Sequence, residues 1–209
     1  MAVITISRQF GAGGLTMGKL LAERIGYTFF SDEIIKMVAK EARVSPNWVN
    51  MVEKEAGGKL QRFVSGLVPR GLMDRVLDDQ SGYIDEEIYV DLLKQIISQI
   101  AEEDNCVILG RGGQYILKDH PDVFHLLLIA DQAHRIEFMK KTYNLTHTQA
   151  AQAIAVEGKK RVSLYKKFHK TDYDRPEHYH MTLNMGRITI EKAVDAVCCI
   201  VAQKCALPS

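Results

Sequence analysis

Short apolar runs alternate along the chain with longer stretches of helical spacing. "AVITI" (2–6) is apolar and β-branched, which predicts a buried first strand. Hydrophobic positions then shift to Leu15, Leu20, Leu21, Ala22 and Ile25, one side of a helix, and Gly26 predicts its stop. "YTFF" (27–30) predicts a second strand. Ser31 is placed to cap a helix whose stripe is Ile34, Ile35, Val38, Ala39 and Ala42. Ser45-Pro46 predicts another start, running to Gly57-Gly58, and Leu60 to Leu67 a short helix that Pro69 breaks. Ile84, Ile88, Leu92, Ile96 and Ile100, flanked by Leu93 and Ile97, predict the clearest helix, largely buried. "CVILG" (106–110) and "VFHLLLIA" (123–130) read as two more buried strands. Asp131 caps a helix to about Tyr143, and Thr146 opens a longer one that becomes strongly basic. "MTLN" (181–184) predicts a fifth strand and residues 190–204 a last helix. Strands alternating with helices predict an α/β fold, a parallel sheet with helices on both faces.

Composition narrows this picture mainly by exclusion. A length of 209 residues fits one domain, and 46% hydrophobic residues suffice for an ordinary core. With 27 basic and 26 acidic residues, net charge argues for neither nucleic acid nor a membrane as partner. No run approaches about 18 apolar residues, and the start "MAVITISRQF" lacks the basic region of a leader. Cys106, Cys198, Cys199 and Cys205 show no C-x-x-C spacing, so they read as buried reduced thiols, which points to the cytoplasm. The seven histidines show no H-E-x-x-H or related spacing, so metal ligation by histidine is not expected.

Chemistry enters at "SRQFGAGGLTMGK" (7–19), directly after the first strand. Gly11, Gly13 and Gly14 let backbone N–H groups turn inward, and the following helix presents its positive end to the same point. The loop from Gly11 through Ala12, Gly13, Gly14 and Leu15 to Thr16 therefore reads as an anion cradle. Against the signature G-x-x-x-x-G-K-[ST], Arg8 replaces the first glycine, Gly13 is the second, and Gly14 stands where lysine belongs. Thr16 lies near the position of the magnesium-binding hydroxyl. Arg8 and Lys19 flank the loop; Arg8 is better suited to phosphate, because its guanidinium binds two oxygens at once, whereas Lys19 reads more readily as a solvated helix residue.

Three stretches, "ITISRQFGAGGLTMGKLLAERIGYTFFSDEII", "CVILGRGGQYIL" and "YHMTLNMGRITIEKAVDAV", together resemble the cytidylate kinase-like family of P-loop nucleoside monophosphate kinases. The resemblance runs nearly end to end and is weakest from about 45 to 83. It implies a three-layer P-loop fold: a five-stranded parallel sheet, a helical acceptor-binding insert (about 31–90) and a lid (about 157–176). It implies transfer of the γ-phosphate of ATP, with Mg2+, to a (d)CMP-type acceptor. "GRGG" resembles a motif whose arginine, Arg111 here, contacts the monophosphate; that motif's aspartate is Gly112 here. "SDEI" places Ser31 and Asp32 where such kinases begin their acceptor-binding helix. Asn184 stands at an aspartate position of a strand-end motif, with Arg187 in the turn after it.

The basic stretch "EGKKRVSLYKKFHKTDYDRPEHYH" lies between the fourth and fifth strands, where monophosphate kinases carry their lid. Arg161 is the leading phosphate contact there, with Lys159 and Lys160 behind it, and Pro176 marks a hinge. Arg8, Arg111 and Arg161 are thus the expected cationic contacts. A second reading stays open, a nucleotide-binding regulatory module with little or no kinase activity, because the loop lysine is absent. Oligomeric state is not legible.

Overall fold

The computed structural model describes residues 3–31 and 86–206, and the helices expected between 32 and 83 lie outside them. Five strands form one parallel sheet: β1 (Val3–Arg8), β2 (Thr28–Phe30), β3 (Cys106–Leu109), β4 (Val123–Ile129) and β5 (Met181–Asn184). Their order is β2-β3-β1-β4-β5, which puts β1 at the centre. Val3 lies beside both Cys106 and Val123, and Ile6 beside Leu109 and Leu126. In this register β1, β3 and β4 end at the same edge of the sheet, β3 two residues before β1, so the segments after them share that edge.

Along β1, side chains alternate between faces. Ile4 and Ile6 enter a core with Leu21 of α1 (Gly14–Ile25) and Val194 and Val197 of the last helix. Thr5 and Ser7 face the other layer: Thr5 Oγ1 lies 2.6 Å from His125 Nδ1, and Ser7 Oγ 3.0 Å from Tyr165 Oη. That layer holds α2 (Glu86–Glu102), the one-turn α3 (Gly113–Ile116) and the end of the long α5; α4 (Gln132–Tyr143) and α5 (His147–Lys167) form a hairpin, and α6 (Ile190–Ala206) closes the fold. Asp131 caps α4 by accepting from His134 N at 2.7 Å, and Thr146 with Gln149 makes a reciprocal capping box on α5. Both caps stand where the sequence puts them. Phe10 packs into the hairpin's own small core of Ile136, Met139, Ala150 and Ile154, which ties the loop after β1 to α4 and α5.

Three expectations change. β1 runs to Arg8, two residues beyond the apolar run, because Ser7 and Arg8 still pair with β4. In α1 the buried stripe is Gly14, Met17, Gly18, Leu21 and Ala22, while Leu20 is exposed; Gly18 is on the inner face because the Phe29 ring lies against it. The cysteines are not uniformly buried: Cys106 is, Cys198 is half-buried and Cys199 is exposed. Burial pushes the Cys106 thiol up to about 12, so it holds its proton at neutral and mildly alkaline pH. Alkylation at pH 8 read by peptide mass mapping should therefore label Cys199 rapidly and Cys106 only on unfolding.

Candidate functional site

The segment after β1 turns sharply into α1. Gly11 (φ 88°) and Gly13 (φ 80°) lie in the left-handed region that favours glycine. Ala12 N donates to Gln9 O at 3.0 Å, and Gly13 is the helix N-cap without a side-chain cap, leaving first-turn N–H groups directed outward. Thr16 and Leu15 are half-buried beside this turn, whereas Lys19 is exposed.

Arg8 lies on the same face of β1 as Ile4 and Ile6, the face toward α1. Its stem passes Gly14: a Cβ built there would stand 2.8 Å from Arg8 Cγ. Its tip reaches the end of β3, where a Cβ on Gly110 would overlap Arg8 Nη1. Arg8 thus occupies the space a lysine stem at position 14 would need. An arginine at the signature's first glycine and a glycine at its lysine are complementary exchanges.

Gly110, Arg111 and Gly112 follow β3 with φ of 80°, 54° and 76°. A left-handed non-glycine residue costs about 1–2 kcal/mol, so the loop maintains Arg111 there against its local preference. The ring of Phe168, just past α5, lies on Gly112, where a Cβ would come within 2.9 Å of it. The end of α5 is therefore docked against the Arg111 loop.

Arg161 is held from several sides. Its Nη1 and Nη2 donate to both oxygens of Asp174, at 3.0 and 2.5 Å, and Nη2 also donates to Ser7 Oγ at 3.0 Å. Its guanidinium carbon stands 5.0 Å from the ring centres of Tyr165 and Tyr173, which stack on each other. Gln114 Nε2 donates to Tyr165 Oη and Tyr179 Oη, and Tyr179 Oη donates to Tyr173 O at 2.6 Å. Burial pushes the Tyr179 and Tyr115 hydroxyls well above the ordinary tyrosine range, so both stay protonated at neutral pH. Asp174, Gln114, Tyr173 and Tyr179 were not singled out from sequence. Pro176, the expected hinge, begins a short 3-10 turn (Pro176–His178), and the segment just before it supplies Tyr173 and Asp174 to Arg161. Asp174→Asn keeps shape and removes charge. It should destabilise the protein by about 1–2 kcal/mol in urea denaturation, a value tempered by the pair's partial exposure.

Among the described residues, two cavities adjoin this machinery. One, about 450 Å³, lies between the glycine turn with Thr16 and an apolar wall that includes Phe138, Met139 and Tyr143. The other, about 330 Å³, is lined by Arg111, Arg161, Lys160, Lys167 and Tyr165. Arg8 and Phe10 line both. The remaining expected residues divide. Ser31 is buried just past β2, and Asp32 lies outside the described residues. Lys160 bonds Glu157 at 2.6 Å, and Lys159 borders a separate groove between α4 and α5. Asn184, the last residue of β5, and Arg187, in the turn after it, are exposed, with Asn184 Oδ1 accepting from Gly186 N at 3.0 Å. They line neither cavity, and β5 is three strand spacings, roughly 14 Å, from the β3 end that carries Arg111.

The profile of the cytidylate kinase-like family matches residues 3–187. The chain belongs to that family. This member of the cytidylate kinase-like family is also similar to an uncharacterised protein of Eubacterium ventriosum known from its crystal structure. The TM-score is 0.63, with 19% identity over 97% of this chain and 99% of that one. A shikimate kinase from Bacteroides thetaiotaomicron aligns at TM-score 0.48 and 13% identity, over 94% of this chain and 96% of that one. A uronate isomerase of Corynebacterium glutamicum is 30% identical over 97 residues, 46% of this chain. The chain spans 19% of the length of that curated relative. Family and sheet together make this a kinase-like α/β protein. Among the described residues no helix is long and apolar enough to cross a membrane.

Proposed function

We propose that this protein transfers the γ-phosphate of ATP, with Mg2+, to a small phosphate-bearing acceptor of the (d)CMP type. The observation that carries this reading is the meeting of two unlike cavities at one arginine. One offers backbone N–H groups from Gly11 to Gly14, suited to the donor's phosphates. The other gathers Arg111, Arg161, Lys160 and Lys167, suited to an anionic acceptor.

Phosphoryl transfer asks little acid–base work of a protein; positioning and electrostatics carry it. Arg8 supplies the charge that the loop lysine provides in the signature. Arg111, held out by its left-handed backbone, binds the acceptor phosphate. Arg161, immobilised by Asp174 and two tyrosine rings, presents its remaining edge to the transferring group. The docked end of α5 excludes water. Among the described residues no cluster of acids, histidines or cysteines could hold a metal by itself. The Thr16 hydroxyl beside the glycine turn fits as a ligand to a Mg2+ carried on the nucleotide, where the ion would neutralise phosphate charge. Asn184 and Arg187 do not suit an acceptor contact shared with Arg111, given their distance from it.

The regulatory alternative draws on Gly14, since loss of one preorganised cation costs roughly 10²–10³ in rate if nothing replaces it. An acceptor panel led by CMP and dCMP, with product read by 31P NMR, separates the two. Formation of CDP or dCDP supports the kinase. ATP binding without transfer to any acceptor supports the regulatory module.

A further inference from the structure

We propose that Arg8 serves both substrates at once, standing as a shared cation between the donor's terminal phosphate and the acceptor's phosphate. The inference rests on the phosphotransferase reading above and adds to it the way the two sites communicate.

The two cavities are lined by different elements and share Arg8 and Phe10. Of these only Arg8 carries charge. Its stem runs past Gly14 at the glycine turn and its Nη1 lies at Gly110, the residue before Arg111. The guanidinium is therefore fixed where the cradle ends and the Arg111 loop begins. Two glycines give it room, and a side chain at either position would displace it. A guanidinium is planar and presents N–H donors along more than one edge, so it can bond oxygens of two separate phosphates. Lysine in the usual position is a point charge on a flexible stem and does not span two cavities in this way.

Two phosphates brought within transfer distance repel each other. Each has other partners when it binds alone: the donor has the loop N–H groups, and the acceptor has Arg111 and its neighbours. What Arg8 adds is the ability of both to be bound together. In the step itself the bond from phosphorus to the donor's bridging oxygen breaks, ADP leaves with the electron pair, and an ionised oxygen of the acceptor phosphate forms the new bond. No further reactant is needed.

The test is thermodynamic linkage, measured by calorimetry on the whole chain with AMPPNP·Mg as donor probe and CMP as acceptor probe. In the wild type, saturating CMP should change the AMPPNP dissociation constant by less than about threefold. In Arg8→Ala it should raise it at least about tenfold, within the usual range of coupling between sites. Arg8→Lys, which keeps the charge and guards against a folding defect, should show an intermediate antagonism. The proposal is overturned if Arg8→Ala and Arg8→Lys weaken AMPPNP by the same factor with and without CMP, for then Arg8 belongs to the donor alone. It is overturned too if donor-saturated wild type does not bind CMP. A wild type that binds AMPPNP neither alone nor with CMP rejects the phosphotransferase reading itself.

Discussion

Gly14→Lys, which restores the signature lysine, should abolish phosphoryl transfer instead of improving it. The space that a side chain at position 14 would enter is filled by the stem of Arg8, with Cγ 2.8 Å from the built Cβ. The new lysine would push Arg8 off Gly110, so the loop would gain one cation and misplace another. We expect a fall of at least about 10² in kcat/KM, the scale of losing one preorganised donor. Overpacking at the turn should add a stability loss of about 1–3 kcal/mol. The double variant Arg8→Gly/Gly14→Lys restores the first glycine and the lysine of the signature, with Leu15 still at its hydroxyl position, and should recover at least about tenfold of the lost rate, since the two positions share one space and do not act additively. Steady-state kinetics with urea denaturation checks both. A single Gly14→Lys protein as active as wild type would show that Arg8 is not the re-sited charge.

Arg111→Ala should raise the acceptor KM by roughly 10²–10³-fold, about 3–4 kcal/mol for a desolvated charge partner, while the ATP KM moves less than about threefold. The backbone supplies a control. At φ 54°, alanine is strained and glycine is not. Arg111→Gly should therefore be the more stable of the two variants in thermal unfolding, yet lose acceptor affinity to the same extent. An Arg111→Gly protein with wild-type acceptor KM would remove Arg111 from the acceptor site.

How much of this was legible depends on whether the determining signal is local. The five strands and the caps at Asp131 and Thr146 follow from apolar runs and capping chemistry within a few residues of each element. Arg111 and Arg161 could be singled out by motif and by position between strands. Asp174, Gln114, Tyr173 and Tyr179 could not, because their significance is tertiary: Asp174 matters as the carboxylate facing Arg161 thirteen residues away, and Gln114 joins tyrosines from two other segments. The sequence likewise shows Gly14 as a missing lysine, but only the fold shows it as room for Arg8. Gly110 looked like the ordinary end of a strand for the same reason. Leu20 was misplaced because a helical stripe wide enough to include it also fits the true one, which the Phe29 ring on Gly18 defines. Asn184 and Arg187 matched a motif in sequence, yet the strand order sets them on the far side of β1 from Arg111.

The central claim is that a kinase-like fold without the loop lysine still transfers phosphate through Arg8. Its most direct test measures transfer from γ-labelled ATP to CMP and dCMP by wild type, Arg8→Ala and Arg8→Lys under the same conditions. The account predicts turnover by the wild type, a loss of about 10²–10³-fold in Arg8→Ala, and only partial retention in Arg8→Lys, whose point charge cannot bind two oxygens. Wild-type transfer that survives Arg8→Ala unchanged would contradict it.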